Sequence, residues 1–97
     1  MVNMVNMNGD QHTYLKQYRN NLITALFYSY SVNLPHKALT DIEKIYKEIS
    51  GSTQSFNLSC STCVINMLSM TARYYFTEYP EELDPLLADR FLQYKIN

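Results

Sequence analysis

The sequence predicts an all-α fold: a small bundle of three main helices and a short C-terminal helix, preceded by an extended N-terminal arm. Three observations carry that expectation. Apolar residues recur at the i, i+3, i+4, i+7 spacing of amphipathic helices through most of the chain. Only 2 glycines and 3 prolines interrupt 97 residues, which confines backbone breakers to a few joints. No segment alternates with period two for long enough to propose a strand.

Residues 1–10 are read as the arm. Val2-Asn3-Met4 repeats as Val5-Asn6-Met7, and a tail of this kind frays unless something holds it. Val2, Met4, Val5 and Met7 are therefore assigned to a neighbour's groove, with folding back onto its own bundle as the alternative. The remainder, residues 11–97, is a single helical domain, since a chain this short buries about two thirds of its unfolded surface and has no room for a second core.

The first helix is expected from Gln11 to Val32, with Asp10 as a cap and Leu15, Tyr18, Leu22, Ala25, Leu26 and Ser29 along one stripe. Phe27, Tyr28 and Tyr30 widen its apolar coverage. The second begins at Pro35, whose fixed φ suits a first helical position, and carries Ala38, Leu39, Ile42, Ile45, Tyr46 and Ile49 before Gly51 ends it. Its outer face offers the pairs Glu43–Lys47 and Lys44–Glu48. A polar linker, Ser50 to Asn57, leads to the third helix, from about Ser59 to Tyr79, with Ser59 as its cap and Leu58 and Cys63 as a hydrophobic staple. Asp84-Pro85 then reads as a cap and first helical residue, opening a short helix with Leu86, Leu87, Phe91 and Tyr94.

Composition excludes several function classes. Eight basic and nine acidic side chains leave a formal charge of −1, too little field for a nucleic-acid backbone or an anionic membrane. No run approaches the roughly 20 apolar residues of a membrane span, and the start of the sequence has neither the basic flank nor the apolar run of a signal peptide. Two cysteines are too few for a secreted disulfide framework, so synthesis and retention in a cytoplasm are expected.

Those cysteines form the C-x-x-C of Leu58-Ser59-Cys60-Ser61-Thr62-Cys63-Val64, at the start of the third helix. Cys60, Cys63, Val64, Met67, Leu68, Thr71, Tyr74 and Tyr75 share one helical face, which assigns both sulfurs to the core as small hydrophobes. The alternatives are a redox pair favoured by the helix start, a disulfide across the motif, or half of a zinc site completed by His12 and His36. The histidine spacing does not match a finger, and no second ligand pair is present.

Glu78, Glu81, Glu82, Asp84 and Asp89 offer oxygen ligands for a divalent cation, against the plainer reading of a solvated face. There is no Gly-rich phosphate loop, no H-E-x-x-H and no nucleophile-elbow serine. No catalytic residue, metal or other cofactor is assigned. Tyr14, Lys16, Tyr18 and Arg19, and likewise Arg73, Tyr74, Tyr75 and Phe76, mix aromatic and basic groups as single-strand binders do, but without the basic excess those proteins carry. Nine tyrosines exceed what one small core hides, and tyrosine is enriched where proteins meet, so Tyr74, Tyr75 and Tyr79 are assigned to an interface.

The stretch from Leu39 to Phe76, with Ile42-Glu43-Lys44-Ile45-Tyr46, Gly51, Cys60-Ser61-Thr62-Cys63-Val64 and Tyr74-Tyr75-Phe76, resembles small helical C-x-x-C proteins of Bacteroides-infecting, crAss-like phages, a family without a defined function. The resemblance implies a phage-encoded protein made in the host cytoplasm, with virion or assembly roles. Joined to the tyrosine surplus, it gives the expected function: a non-enzymatic virion structural protein, an auxiliary subunit binding capsid, portal or connector proteins. The alternative is a small zinc- or nucleic-acid-binding regulatory protein using Cys60 and Cys63.

Overall fold

Asn8 opens the first helix. In the computed structural model, which describes residues 7–31 and 33–96, its side-chain oxygen accepts the Gln11 N–H at 2.8 Å while Gln11 returns a bond to the Asn8 N–H at 3.0 Å. This capping box satisfies two orphan donors reciprocally and starts α1 (Gly9–Lys16) two residues before the expected Gln11, with Asn8 in the role assigned to Asp10.

The long first helix of the sequence reading is two helices. α1 gives way at Gln17 and Tyr18 to α2 (Arg19–Tyr28), and the Tyr18 N–H turns back to the Leu15 carbonyl at 2.9 Å, an i to i−3 bond that tightens the last turn. Neither glycine nor proline marks the joint. Leu15 and Leu22, one heptad apart across it, are both fully buried, so packing keeps the apolar stripe continuous while the backbone bends. α2 ends at Ser29, which takes the left-handed conformation (φ 52°, ψ 44°) usually given to glycine.

α3 (His36–Ser50) buries the six apolar residues expected of it, and Gly51 stops it at φ 73°. Its predicted surface pairs do not form. Glu43 accepts the Phe56 N–H at 2.7 Å, Lys47 donates to the Ser55 hydroxyl at 3.0 Å, and Glu48 accepts from the Gln11 amide at 2.9 Å. A surface pair one helical turn apart gains only about 0.2–0.5 kcal/mol, less than satisfying a linker N–H and tying α1 down. The i, i+4 ion pair on this helix is Lys37–Asp41, 2.9 Å.

α4 (Ser61–Glu78) is central: α2 and α3 pack along it, and the 3-10 turn Pro80–Glu82 folds back against its end. Val64, Met67, Leu68, Thr71, Ala72, Tyr75 and Phe76 are buried, and the Thr71 hydroxyl is satisfied by the Met67 carbonyl at 2.8 Å. Asp84 caps α5 (Pro85–Phe91), accepting the Leu87 N–H at 3.0 Å, as its sequence signature predicts. The C-terminal segment is then bound to α4 through Arg73 Nε to the Tyr94 carbonyl (2.8 Å) and the Ile96 N–H to the Thr77 hydroxyl (2.9 Å). Among the described residues there is no strand, and no helix is long and apolar enough to cross a membrane. The fold is all-α, with five α-helices among the described residues in place of the four anticipated.

Candidate functional site

The residues assigned from the sequence to partner binding separate into three groups. Val2, Met4 and Val5 lie outside the described residues. Met7 does not belong to an arm: it is 6% exposed within the core cluster, and its N–H donates to Glu78 Oε1 at 3.0 Å. Tyr75 is wholly buried and so corrects its interface assignment, while Tyr74 and Tyr79 are half-buried against the core. Tyr74 meets Tyr46 edge-on at 6.1 Å. The tyrosine surplus is absorbed partly by such internal aromatic pairs, which the composition did not reveal.

Tyr75 and Tyr79 instead help build a polar latch at the C-terminal end of α4. The Tyr75 hydroxyl donates to Glu82 Oε1 at 2.5 Å, and His12 Nε2 lies 2.8 Å from Glu82 Oε2. An ionised carboxylate only accepts, so His12 Nε2 carries the proton in this pair. Tyr79 stacks face to face on the His12 ring. Burial by itself raises the Glu82 pKa, but bonds from Tyr75 and His12, with the charge of Lys16 nearby, reverse this and hold it below the ordinary carboxylate value. Burial and the bond to Glu82 push the Tyr75 phenol upward. Both carboxylate oxygens are thus engaged by internal donors, an arrangement suited to tying α1 to the 3-10 turn. The partner of His12 is 70 positions away, and no local pattern signals such a pair.

At the opposite end of α4, Cys60 and Cys63 are joined in a disulfide. Cys60 is the N-cap, displacing Ser59, and its sulfur accepts the Cys63 N–H at 3.2 Å. Both residues are half-buried and lie outside the core cluster, which corrects their assignment as core hydrophobes. The zinc alternative finds no support: His12 belongs to the latch at the other end of an 18-residue helix, His36 is exposed, and the described residues contain no group of three or more His, Cys, Asp or Glu placed to hold a metal. The same finding covers the carboxylates of residues 78–89, where Glu82 is engaged by the latch and Asp84 caps α5.

The aromatic–basic mixtures are likewise occupied. Tyr14 donates to Asp41 at 3.1 Å, Arg73 is bound to the Tyr94 carbonyl, and Phe76 is buried.

What the sequence reading missed is a set of large apolar side chains left in solvent: Leu86 at 81% exposed, Leu92 at 68%, Tyr28 at 60% and Tyr30 at 58%. The sequence reading places Tyr28 and Tyr30 in the widened apolar coverage of the first helix and Leu86 on the last. Tyr28, Leu86 and Leu87 share a shallow depression of about 400 Å³ with Asp84, Asp89 and Arg90. On α5 it is Phe91 that turns inward, against Phe76 at 6.1 Å. The signal lay in the register: on so short a helix Leu86 and Phe91 are five positions apart and cannot share a face. In comparison with known proteins, no family model, curated protein or solved structure matches the chain.

Proposed function

We propose that this chain is a structural protein that works by protein–protein contact, an auxiliary subunit of a phage virion that binds capsid, portal or connector proteins. The observation that carries the contact reading is the exposed apolar set on α2 and α5, with Tyr28, Leu86 and Leu87 around one depression rimmed by Asp84, Asp89 and Arg90. An apolar centre with a charged rim is the usual anatomy of a contact surface. The phage setting rests on the resemblance of residues 39–76, and the apolar Val2, Met4 and Val5 offer a second point of attachment.

The test is incorporation into particles by the phage that encodes the chain. Leu86→Asp combined with Leu92→Asp is expected to abolish incorporation while far-ultraviolet circular dichroism stays unchanged, because neither side chain contributes to the core. Normal incorporation of this folded variant would overturn the assignment of the surface.

A further inference from the structure

We propose that Cys60 and Cys63 form a thiol–disulfide exchange site whose substrates are the thiols of a dithiol client. The inference is independent of the contact surface on α2 and α5.

The placement of the bond argues against a staple. It links a helix cap to the third residue of the same helix, Cα atoms 5.2 Å apart, and joins no two elements of the fold. The core that holds α4 in place begins at Val64 and is built from other residues. Disulfides that stabilise do so mainly by closing long loops of the unfolded chain, and this one closes a single turn.

The surroundings favour sulfur chemistry. The Cys63 N–H points at the Cys60 sulfur, and Cys60 sits at the positive end of α4, whose first turn holds no acidic residue. Amide donation and the helix dipole both favour a thiolate at Cys60. Cys63 opens on a groove of about 460 Å³ running past Phe56, Asn57, Asn66, Met70 and Arg73; its lining includes this one cation and no carboxylate. A client thiolate can approach there without repulsion.

The reaction follows from that geometry. A client thiolate attacks Cys63 Sγ, forming a mixed disulfide and expelling Cys60 Sγ as the thiolate held by the Cys63 N–H; a better-stabilised leaving sulfur departs faster. The second client thiolate then attacks the client sulfur of the mixed disulfide, releasing Cys63. The client dithiol loses two electrons and becomes a disulfide, and the Cys60–Cys63 bond gains them. The two protons pass from the client to Cys60 and Cys63 or to solvent. Cys60 thiolate attack on the mixed disulfide returns the pair to its starting state.

Glutathione serves as the probe. The native chain is equilibrated in buffers of varied reduced-to-oxidised glutathione ratio, alkylated, and weighed intact, with circular dichroism recorded in parallel. The expected result is complete interconversion of disulfide and dithiol within the buffered range, with helicity unchanged. Cys60→Ser should in addition accumulate a single glutathione adduct on Cys63, because the sulfur that resolves it is gone. A disulfide that persists in excess reduced glutathione, loss of helicity on reduction, retention of zinc by the reduced pair, or absence of the adduct would each overturn the proposal.

Discussion

His12 and Tyr79 stack with ring centroids 3.7 Å apart and planes within 8° of parallel, joining the first helix to the residue that ends α4. Tyr79 leaves helical geometry at φ −127° and ψ 60°, and the stack covers the turn that follows. His12→Ala removes both the stack and the bond to Glu82. Aromatic pairs contribute about 0.5–1.5 kcal/mol beyond their buried area, and a charge-assisted bond about 1.5–3 kcal/mol. The variant is expected to unfold about 2–4 kcal/mol more readily in urea, whereas His36→Ala, at an exposed position, should change stability by less than about 0.5 kcal/mol.

Glu82 contributes to the acid sensitivity of the fold, as does Asp41, which the Lys37 bond holds below the usual carboxylate range. The folded-state pKa of Glu82 is depressed, the bonds from Tyr75 and His12 outweighing the opposing effect of burial. The contribution is therefore complete above the unfolded carboxylate value, about 4.3, and is lost progressively as pH falls from there through the folded value. Glu82→Gln keeps the shape but not the charge and should flatten this acid limb, while lowering stability at neutral pH by about 1–3 kcal/mol. Urea titrations between pH 3 and 7 check both effects; parallel acid limbs for the two proteins would remove Glu82 from the account.

Tyr75 contributes on the alkaline side with the opposite sign, beside Tyr14 and Tyr79, whose phenols burial also pushes upward. Burial, followed by the bond to Glu82, raises the folded-state value of Tyr75, so its contribution is complete below the ordinary tyrosine value, about 10, and declines as pH rises from there. Tyr75→Phe fills the same space and removes the ionisable group. It should cost about 1–2 kcal/mol at neutral pH through the lost bond and make the alkaline limb shallower. A double-mutant cycle with Glu82→Gln is expected to show strong coupling, since the two side chains share one bond.

Ser29 and Gly51 form a matched pair of helix stops. Both are left-handed, at φ 52° and 73°, but only Gly51 is a residue that accepts this conformation without penalty. A Cβ placed on Gly51 meets nothing within 4 Å, so Gly51→Ala isolates the backbone term and should destabilise by about 1 kcal/mol. Ser29→Gly runs the other way and is expected to stabilise by about 0.5–1 kcal/mol. Thermal melts of the two single variants, shifting in opposite directions, test the assignment.

The parts of the fold written in local chemistry were legible. The apolar set of α3, its stop at Gly51 and the Asp84-Pro85 start of α5 depend on neighbouring residues alone, and all three stand as read. The break at Gln17 and Tyr18 was not legible, because it carries no breaker residue and the buried Leu15 and Leu22 keep the apolar spacing of one helix across it. The cap of α4 moved one residue, from a serine hydroxyl to the Cys60 sulfur, since Ser59 turns its N–H to Asn57 at 3.0 Å before the helix begins. Of the candidate sites, the C-x-x-C was visible as a motif, but its half-buried position at the helix start followed from that cap. The His12–Glu82–Tyr75 latch joins positions far apart in sequence and had no local signature.

Met7 draws the boundary between attachment and fold at the start of the chain. The sequence repeat places it with Val2, Met4 and Val5, yet its side chain belongs to the core and its N–H to Glu78, and the next residue, Asn8, caps α1. Removing residues 1–6 leaves these interactions in place, so the truncated chain is expected to keep its helicity and its urea midpoint. Met7→Ala in the full chain should cost about 2–4 kcal/mol, as for other large core residues cut to alanine, and removal of residues 1–8 should cost more because the capping box goes too. If residues 1–6 seat the proposed virion contact, the shorter truncation alone separates attachment from folding: a stable protein that fails to enter particles. Equal destabilisation by both truncations would instead make residues 1–6 part of the domain, and undiminished incorporation would confine binding to the surface around Leu86.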